Sequence, residues 1–232
     1  MIHNRKVTAL VPIKDHSARV NGKNFRDFCG RPLYHHIILA LDRTYAVDEI
    51  VIDTDSPRVI GEAGRISRKV RVIERPEELR GDFVSTNKIF DYDLKQAKAD
   101  IYIQTHATNP LLRAETIADA LRTFIEKGED HDSLFSVNAY QSRFYTAKGE
   151  PVNHDPNNLI RTQDLPPLYE ENSCLYVFTA ESFAATNARI GKKPIFYPTP
   201  AVESVDIDNE ISWRIAEILG FYSLTQATNL AA

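Results

Sequence analysis

The sequence has little cysteine: two residues, Cys29 and Cys174, in a chain of 232. They lie far apart and have none of the short spacings of a zinc site, so neither a disulfide framework nor a metal knot organises the fold. Unpaired thiols suit the cytoplasm, which is the expected location. No apolar run approaches the roughly 18 residues of a membrane span, and the start of the chain has no apolar segment ending in a small-residue cleavage site, so no membrane is expected as a partner. A basic excess is also missing. The 28 Lys+Arg against 32 Asp+Glu leave a net charge of −4, which argues against nucleic acid as a partner. There is no Gly-x-x-x-x-Gly-Lys-Ser/Thr loop, which disfavours the common P-loop, and no Gly-x-Gly-x-x-Gly, which disfavours a dinucleotide site. The absence of Gly-x-Ser-x-Gly argues against a serine hydrolase. Internal repeats and low-complexity segments are absent as well.

What is present is an alternation of strand-like and helix-like stretches, with an ordinary 43% of hydrophobic residues. Strands are predicted at 7–12, 49–55, 70–73, 100–105, 133–137 and 173–178, with a short one at 194–197. Helices are predicted at 34–43, 57–68, 88–97, 114–127 and 210–219, from apolar positions at helical spacing. This rhythm predicts one α/β domain over 1–232, a three-layer α/β/α sandwich around a mainly parallel twisted sheet. From 143 to 172 the rhythm stops in a stretch rich in Pro, Asn, Asp and Tyr. A structureless loop of that length is unusual inside a compact domain, so it is expected to be a functional excursion, an inserted lid or dimerisation arm.

Ligands of open α/β sheets sit beyond the carboxyl ends of the parallel strands. The first such end carries the polar loop from Lys14 to Asn24. Lys14, Arg19 and Lys23 can neutralise phosphates there, and Ser17, Gly22 and successive backbone N–H groups can form an anion nest; the alternative is a solvated polar loop. In Asp206-Ile207-Asp208, two carboxylates at i and i+2 point to one side of an extended chain. Hard oxygen ligands so spaced suit Mg²⁺, or else Asp208 caps the helix that follows. Asp53-Thr54-Asp55 ends a central strand on the same edge; a metal role is one reading, and the favoured one makes Asp53 structural and Asp55 the cap of the next helix. Gln104 and the loop 106–113 end another strand there. Gln, Asn and Arg at that place can read the hydroxyl and carboxylate groups of a sugar acid, or Asn109-Pro110 simply turns the chain. His35 and His36 fit packing or surface positions.

In this order the pieces resemble the acylneuraminate (CMP-sialic acid) cytidylyltransferase family, over nearly the whole chain from about Val7 to Leu219. The resemblance is carried by Ser17 with Gly22-Lys23-Asn24-Phe25, by Gly30-Arg31-Pro32-Leu33 and by Ile52-Asp53-Thr54-Asp55-Ser56. It continues in Glu74-Arg75-Pro76-Glu77-Glu78-Leu79, in Gln104 with Thr108-Asn109-Pro110-Leu111-Leu112-Arg113, in Arg161 and Gln163-Asp164-Leu165-Pro166 through Asn172, and in Ser204-Val205-Asp206-Ile207-Asp208. It implies a nucleotide-diphospho-sugar transferase-like fold and Mg²⁺-dependent transfer of CMP from CTP to the anomeric hydroxyl of a nine-carbon 2-keto sugar acid, with release of pyrophosphate. It further implies that Lys14, Ser17, Arg19 and Lys23 hold the triphosphate, and that Asn24, Arg75 and Thr86 surround the ribose and cytosine. Gln104, Arg161, Gln163 and Asn172 would meet the acceptor, Asp206 and Asp208 the metal, and 143–172 would be the arm of a homodimer. Alternatives are an eight-carbon, pseudaminic-type or legionaminic-type acid as acceptor, or a catalytically silent homologue that binds nucleotide or sugar. The chain departs from the family pattern at Lys14 (usually Arg), Ala18 (usually Lys), Thr162 (usually Arg) and Ser173 (usually Gly). Lys14 keeps the charge of an arginine but loses the two-pronged fork to phosphate.

Overall fold

A computed structural model describes residues 4–17 and 19–229; Ala18 lies outside the described residues. The elements in order are β1 (Val7–Ile13), β2 (Asp27–Phe28), β3 (Arg31–Pro32), α1 (Leu33–Arg43), β4 (Glu49–Thr54), α2 (Pro57–Glu62), β5 (Val70–Glu74) and α3 (Thr86–Gln96). Then come β6 (Ile101–Thr105), α4 (Ala114–Lys127), β7 (Ser133–Tyr140), β8 (Leu168–Phe178), α5 (Ala180–Thr186), β9 (Pro194–Pro198) and α6 (Glu210–Asn229). The seven-stranded sheet has the order β5-β4-β1-β6-β8-β7-β9. Its neighbours pair in parallel except at β8, which runs antiparallel to both β6 and β7.

β1 alternates between two covered faces, which is why it reads as a continuous apolar run. Val7, Ala9, Val11 and Ile13 pack against Ile37 and Leu41 of α1, Val59 of α2 and Ile117 and Leu121 of α4. Leu10 points the other way, into a cluster with Phe90 and Leu94 of α3 and Phe183 of α5. Helices therefore cover both faces, as the alternation predicts. A third cluster joins Val20, Phe28, Leu33, Ile207, Trp213 and Ala216, and fastens the start of α6 and the β2–β3 hairpin beside the carboxyl end of the sheet.

Three elements differ from expectation. The helix expected to reach residue 68 stops at Glu62 and tightens into a 3-10 turn, Ala63–Arg65. Gly61 and Gly64 lower helix propensity there. The irregular stretch is shorter than 143–172, because residues 168–172 belong to β8 and pair with β7 from Tyr140↔Leu168 to Val137↔Glu171. That half of β8 lies mostly open to solvent, so its Glu170 and Glu171 hide the strand pattern; the Asn138 amide and the Tyr140 hydroxyl both donate to Glu170. A register shift between Phe135 and Val137 faces Ser173, whose φ of 60° is left-handed. Finally, α6 runs on past residue 219 to Asn229.

Between β7 and β8 the chain makes two isolated bridges, Tyr145↔Pro151 and Asp155↔Asn158, and a 3-10 turn, Thr162–Asp164. It exposes Tyr145, Val152, Leu159 and Ile160.

Candidate active site

The carboxyl ends of β1, β4, β5 and β6 place Lys14, Asp55, Arg75 and His106 along one edge of the sheet. A cleft of about 290 Å³ opens there, lined among others by Lys14, Ser17, Arg19, Lys23, Asn24, Arg75 and Thr86, with His106 and Thr108 from the end of β6. Every nucleotide-binding candidate read from the sequence is in that lining. The loop after β1 is held in place by its own polar groups. Asn24 donates its amide to the carbonyl of Lys14 at 2.8 Å. The Asp15 N–H donates to Asp55 at 2.8 Å and the Ser56 hydroxyl donates to Asp15. Asp55 thus ties down the loop instead of capping α2, whose N-terminus has no side-chain cap. The Lys14 ammonium crosses the mouth of the cleft to the carbonyl of Gly81 and the carboxylate of Asp82, both at 3.1 Å.

Lys23 is buried, and its ammonium donates to the carbonyl of Ile207 at 2.7 Å. Burial lowers its pKa, while Asp206 and Asp208 on either side of that carbonyl raise it again. Ile207 is fully buried in the third cluster, and its N–H donates to the carbonyl of Thr108. One apolar side chain and two backbone bonds therefore fix the two carboxylates beside the cleft. Asp208 pairs with Arg19 at 2.8 Å. It does not cap α6; that role belongs to Asn209, whose side-chain oxygen accepts from the N–H groups of Ile211 and Ser212. Burial raises the pKa of Asp206, a hydrogen bond from Thr108 works against that, and its buried Oδ1 has no hydrogen-bond partner among the described residues. A hard, unpartnered carboxylate oxygen with a second carboxylate two residues on fits Mg²⁺, which takes one or two carboxylates and completes its shell with phosphate and water. No group of three or more His, Cys, Asp or Glu able to hold a metal occurs among the described residues.

Arg75 stands on a buried acidic pair. It bonds to the Asp53 carboxylate through Nε and to the Asp53 carbonyl through Nη2 at 3.0 Å. Asp93 of α3 packs against the same carboxylate, and Asp53 Oδ2 and both Asp93 oxygens receive no donor from another described residue. Burial first, and then the Asp53 charge, push Asp93 up to about 9. Asp93 is therefore the acid of the pair and holds a proton that satisfies Asp53, which leaves the trio of Asp53, Arg75 and Asp93 neutral overall.

Gln104 is fully buried in β6, directly across from Tyr176 of β8. Its amide oxygen accepts from Nη1 of Arg189, and its amide nitrogen donates to the carbonyl of Thr105. The Arg189 guanidinium lies 3.9 Å from the centre of the Tyr176 ring and 5.5 Å from that of Phe90. It also meets the His106 ring nitrogen at 3.5 Å. Burial, and then the charges of Arg189 and Lys23, hold His106 down at about 3, so it is neutral at any working pH. Sequence reasoning missed Arg189, Tyr176 and His106. Only His106 gave a signal, its place at a strand's carboxyl end.

The other acceptor candidates lie apart. Arg161 pairs with Asp164 within the excursion, and Gln163 lends its carbonyl to Gln141. Asn172 is buried within β8, where its amide oxygen accepts from Ser136 and its amide nitrogen donates to Asn138 and Thr199. A broader concavity of about 550 Å³ lies at the opposite edge, near Arg5, Asp132, Thr179 and Lys193. It sits at the amino ends of the parallel strands, the wrong edge for a ligand of an open α/β sheet. No helix is long and apolar enough to cross a membrane among the described residues.

The model of the family described as "Cytidylyltransferase" matches residues 8–219. A CMP-N,N'-diacetyllegionaminic acid synthase of Legionella pneumophila is 27% identical, over 92% of this chain and 96% of its own. A pseudaminic acid cytidylyltransferase of Campylobacter jejuni is 24% identical, over 92% and 96%. N-acylneuraminate cytidylyltransferase A of Danio rerio is 26% identical, over 92% of this chain but only 50% of its own length. Among solved structures, a CMP:2-keto-3-deoxy-manno-octonic acid synthetase complexed with CTP superposes with a TM-score of 0.66 at 16% identity, covering 94% of this chain and 99% of that one. At that identity the likeness speaks for the fold.

Proposed function

We propose, from the premise that the chain belongs to the cytidylyltransferase family, that it transfers CMP from CTP to the anomeric hydroxyl of a 2-keto sugar acid and releases pyrophosphate. The observation that carries this reading is the meeting of Lys23 with Asp206 and Asp208 at the cleft: a buried cation for phosphate beside two carboxylates for a metal. The sugar hydroxyl attacks the α-phosphorus in line; the new P–O bond forms as the bond to pyrophosphate breaks. Such chemistry needs mainly positioning and neutralisation of charge.

In this reading Lys14, Ser17, Arg19 and Lys23 bind the triphosphate. Arg19 makes up for the lysine missing at position 18. Its pair with Asp208 joins two largely exposed groups and is worth at most about 1 kcal/mol, so it yields readily to a phosphate. Asn24, Arg75 and Thr86 hold the nucleoside, with Arg75 kept rigid by Asp53. Asp206 and Asp208 would hold Mg²⁺, and Asp206, whose pKa is raised by burial, would accept the hydroxyl proton. Mg²⁺, when bound, would neutralise charge on the phosphates. Relatives named for legionaminic, pseudaminic and N-acylneuraminic acids support a nine-carbon acceptor. The exposed Tyr145, Val152, Leu159 and Ile160 support dimerisation through the excursion, which would carry Arg161 and Gln163 toward a second copy's cleft. The reaction draws on CTP, so the place of action is the cytoplasm.

The test is pyrophosphate release with CTP and Mg²⁺ over a panel of eight- and nine-carbon 2-keto sugar acids. Release with one of them, and none with CTP alone, is expected. No release with any acid, at protein concentrations that bind CTP, would instead favour a silent homologue.

A further inference from the structure

Arg189 is a half-buried cation that none of the expected roles uses. Burial lowers its pKa, and the influence of Tyr176 and Glu171 offsets that only in part. Its neighbours are the amide oxygen of Gln104, the neutral ring of His106 and the faces of Tyr176 and Phe90. None of these is a carboxylate. The carboxylate that influences it, Glu171, is engaged by the Tyr176 hydroxyl. A cation placed only for packing could be replaced by a neutral side chain of like volume at no electrostatic cost. Among the described residues both hydrogen-bonding contacts of Arg189 use Nη1, so Nη2 and Nε remain for a two-pronged bond to a planar anion.

The position suits one such anion. In a 2-keto sugar acid the anomeric carbon carries both the attacking hydroxyl and the carboxylate. Whatever cation binds the carboxylate must therefore sit within a few ångström of the α-phosphate. His106 lines the cleft together with Lys23 and meets Nη1 of Arg189 at 3.5 Å, so the guanidinium lies one side chain away from the cleft. Gln104, whose amide oxygen is taken by Arg189, steers the guanidinium instead of the sugar.

Resting on the function proposed above, we propose that Arg189 binds the carboxylate of the acceptor sugar acid, with its guanidinium oriented by Gln104 and the Tyr176 ring. This assigns the acceptor's charge to a residue that lies in the connection between α5 and β9, outside every stretch singled out in the sequence.

The test compares wild type with Arg189→Met and Arg189→Lys, using circular dichroism and thermal melting to confirm folding. Turnover is measured with the best acid of the panel and with its methyl ester, and binding of the same acid is followed by ligand-observed NMR. In Arg189→Met the acceptor KM should rise 30-fold or more, with the CTP KM within threefold of wild type. The preference of wild type for acid over ester should vanish in Met and be partly kept in Lys. An unchanged acceptor KM, equal rises in both KM values, or an acid preference retained in Met would overturn the assignment. Wild type that binds the acid in an Arg189-dependent way but releases no pyrophosphate would refute the proposed reaction and leave the carboxylate site standing. Wild type that binds no acid refutes both. If Arg189→Met does not fold, Arg189→Lys and the acid-to-ester ratio decide.

Discussion

Replacing Asp93 by asparagine tests the proton held beneath Arg75. Asp93 is 1% exposed and faces Asp53, and its pKa is about 9 in the folded protein. In the unfolded chain an aspartate titrates near a pKa of about 3.9. The folded pKa is raised, so the contribution to stability is complete below about pH 4 and is lost as pH rises toward about 9. Between these limits the folded protein keeps one proton that the unfolded chain gives up, and stability falls by about 1.4 kcal/mol per pH unit from this site alone. Asparagine has the same shape, still donates to Asp53, and has no proton to lose. The stability of Asp93→Asn relative to wild type should therefore grow by about 3 kcal/mol between pH 6 and pH 8, as an order of magnitude. Urea denaturation of both proteins at the two pH values measures it, and the comparison cancels every other titrating group. CTP affinity should hold within about twofold, because Arg75 keeps its bonds to Asp53. A gap that stays constant with pH would show that Asp93 is ionised in the native state and would refute the neutral trio.

Three further substitutions separate chemistry from folding. Asp208→Ala should lower kcat by about 100-fold or more, as for loss of one electrostatic group at a reacting centre. The thermal midpoint should barely move, because Asn209 supplies the cap; unchanged turnover would remove Asp208 from the reaction. Ile207→Ala should cost about 2–5 kcal/mol of stability by leaving a cavity, and in the fraction still folded it should weaken CTP binding, read by calorimetry; wild-type affinity would show that the buried side chain does not position Lys23 and the carboxylates. Ser173→Gly should stabilise by about 1 kcal/mol, since the left-handed φ of 60° costs a serine what it does not cost glycine; a lower denaturation midpoint would mean that the serine hydroxyl near Tyr176 matters more than the backbone.

The fold was legible where burial dictates residue type. β1, β4 and β6 are covered on both faces and read as apolar runs, and α4 shows its apolar stripe to the residue. The outer half of β8 was not legible, because exposure on both faces frees Glu170 and Glu171 from any pattern. The same logic divides the site. Lys14, Arg19 and Lys23 stand on one short loop, and the aspartates sit two residues apart, so sequence distance reports spatial distance. Arg189 reaches Gln104 from 85 residues away, and the proton on Asp93 depends on a strand 40 residues earlier. Neither leaves a local trace.

Burial also explains why the two cation sets differ. Lys14 and Arg19 are held by partially exposed carboxylates, Asp82 and Asp208, in bonds that water already weakens. Under the proposed function, such cations can exchange these partners for a triphosphate. Arg75 and Lys23 are buried, and their partners are the Asp53 carboxylate and the Ile207 carbonyl. Breaking those bonds would strand a buried charge at a cost of several kcal/mol, so these two residues are held more firmly than Lys14 and Arg19. Of the four departures from the family pattern, Lys14 falls in this exposed set. The buried frame does not depend on which cation stands on that exposed loop, so under the proposed function the site can diverge at its rim while Lys23, Asp206 and Asp208 keep their places.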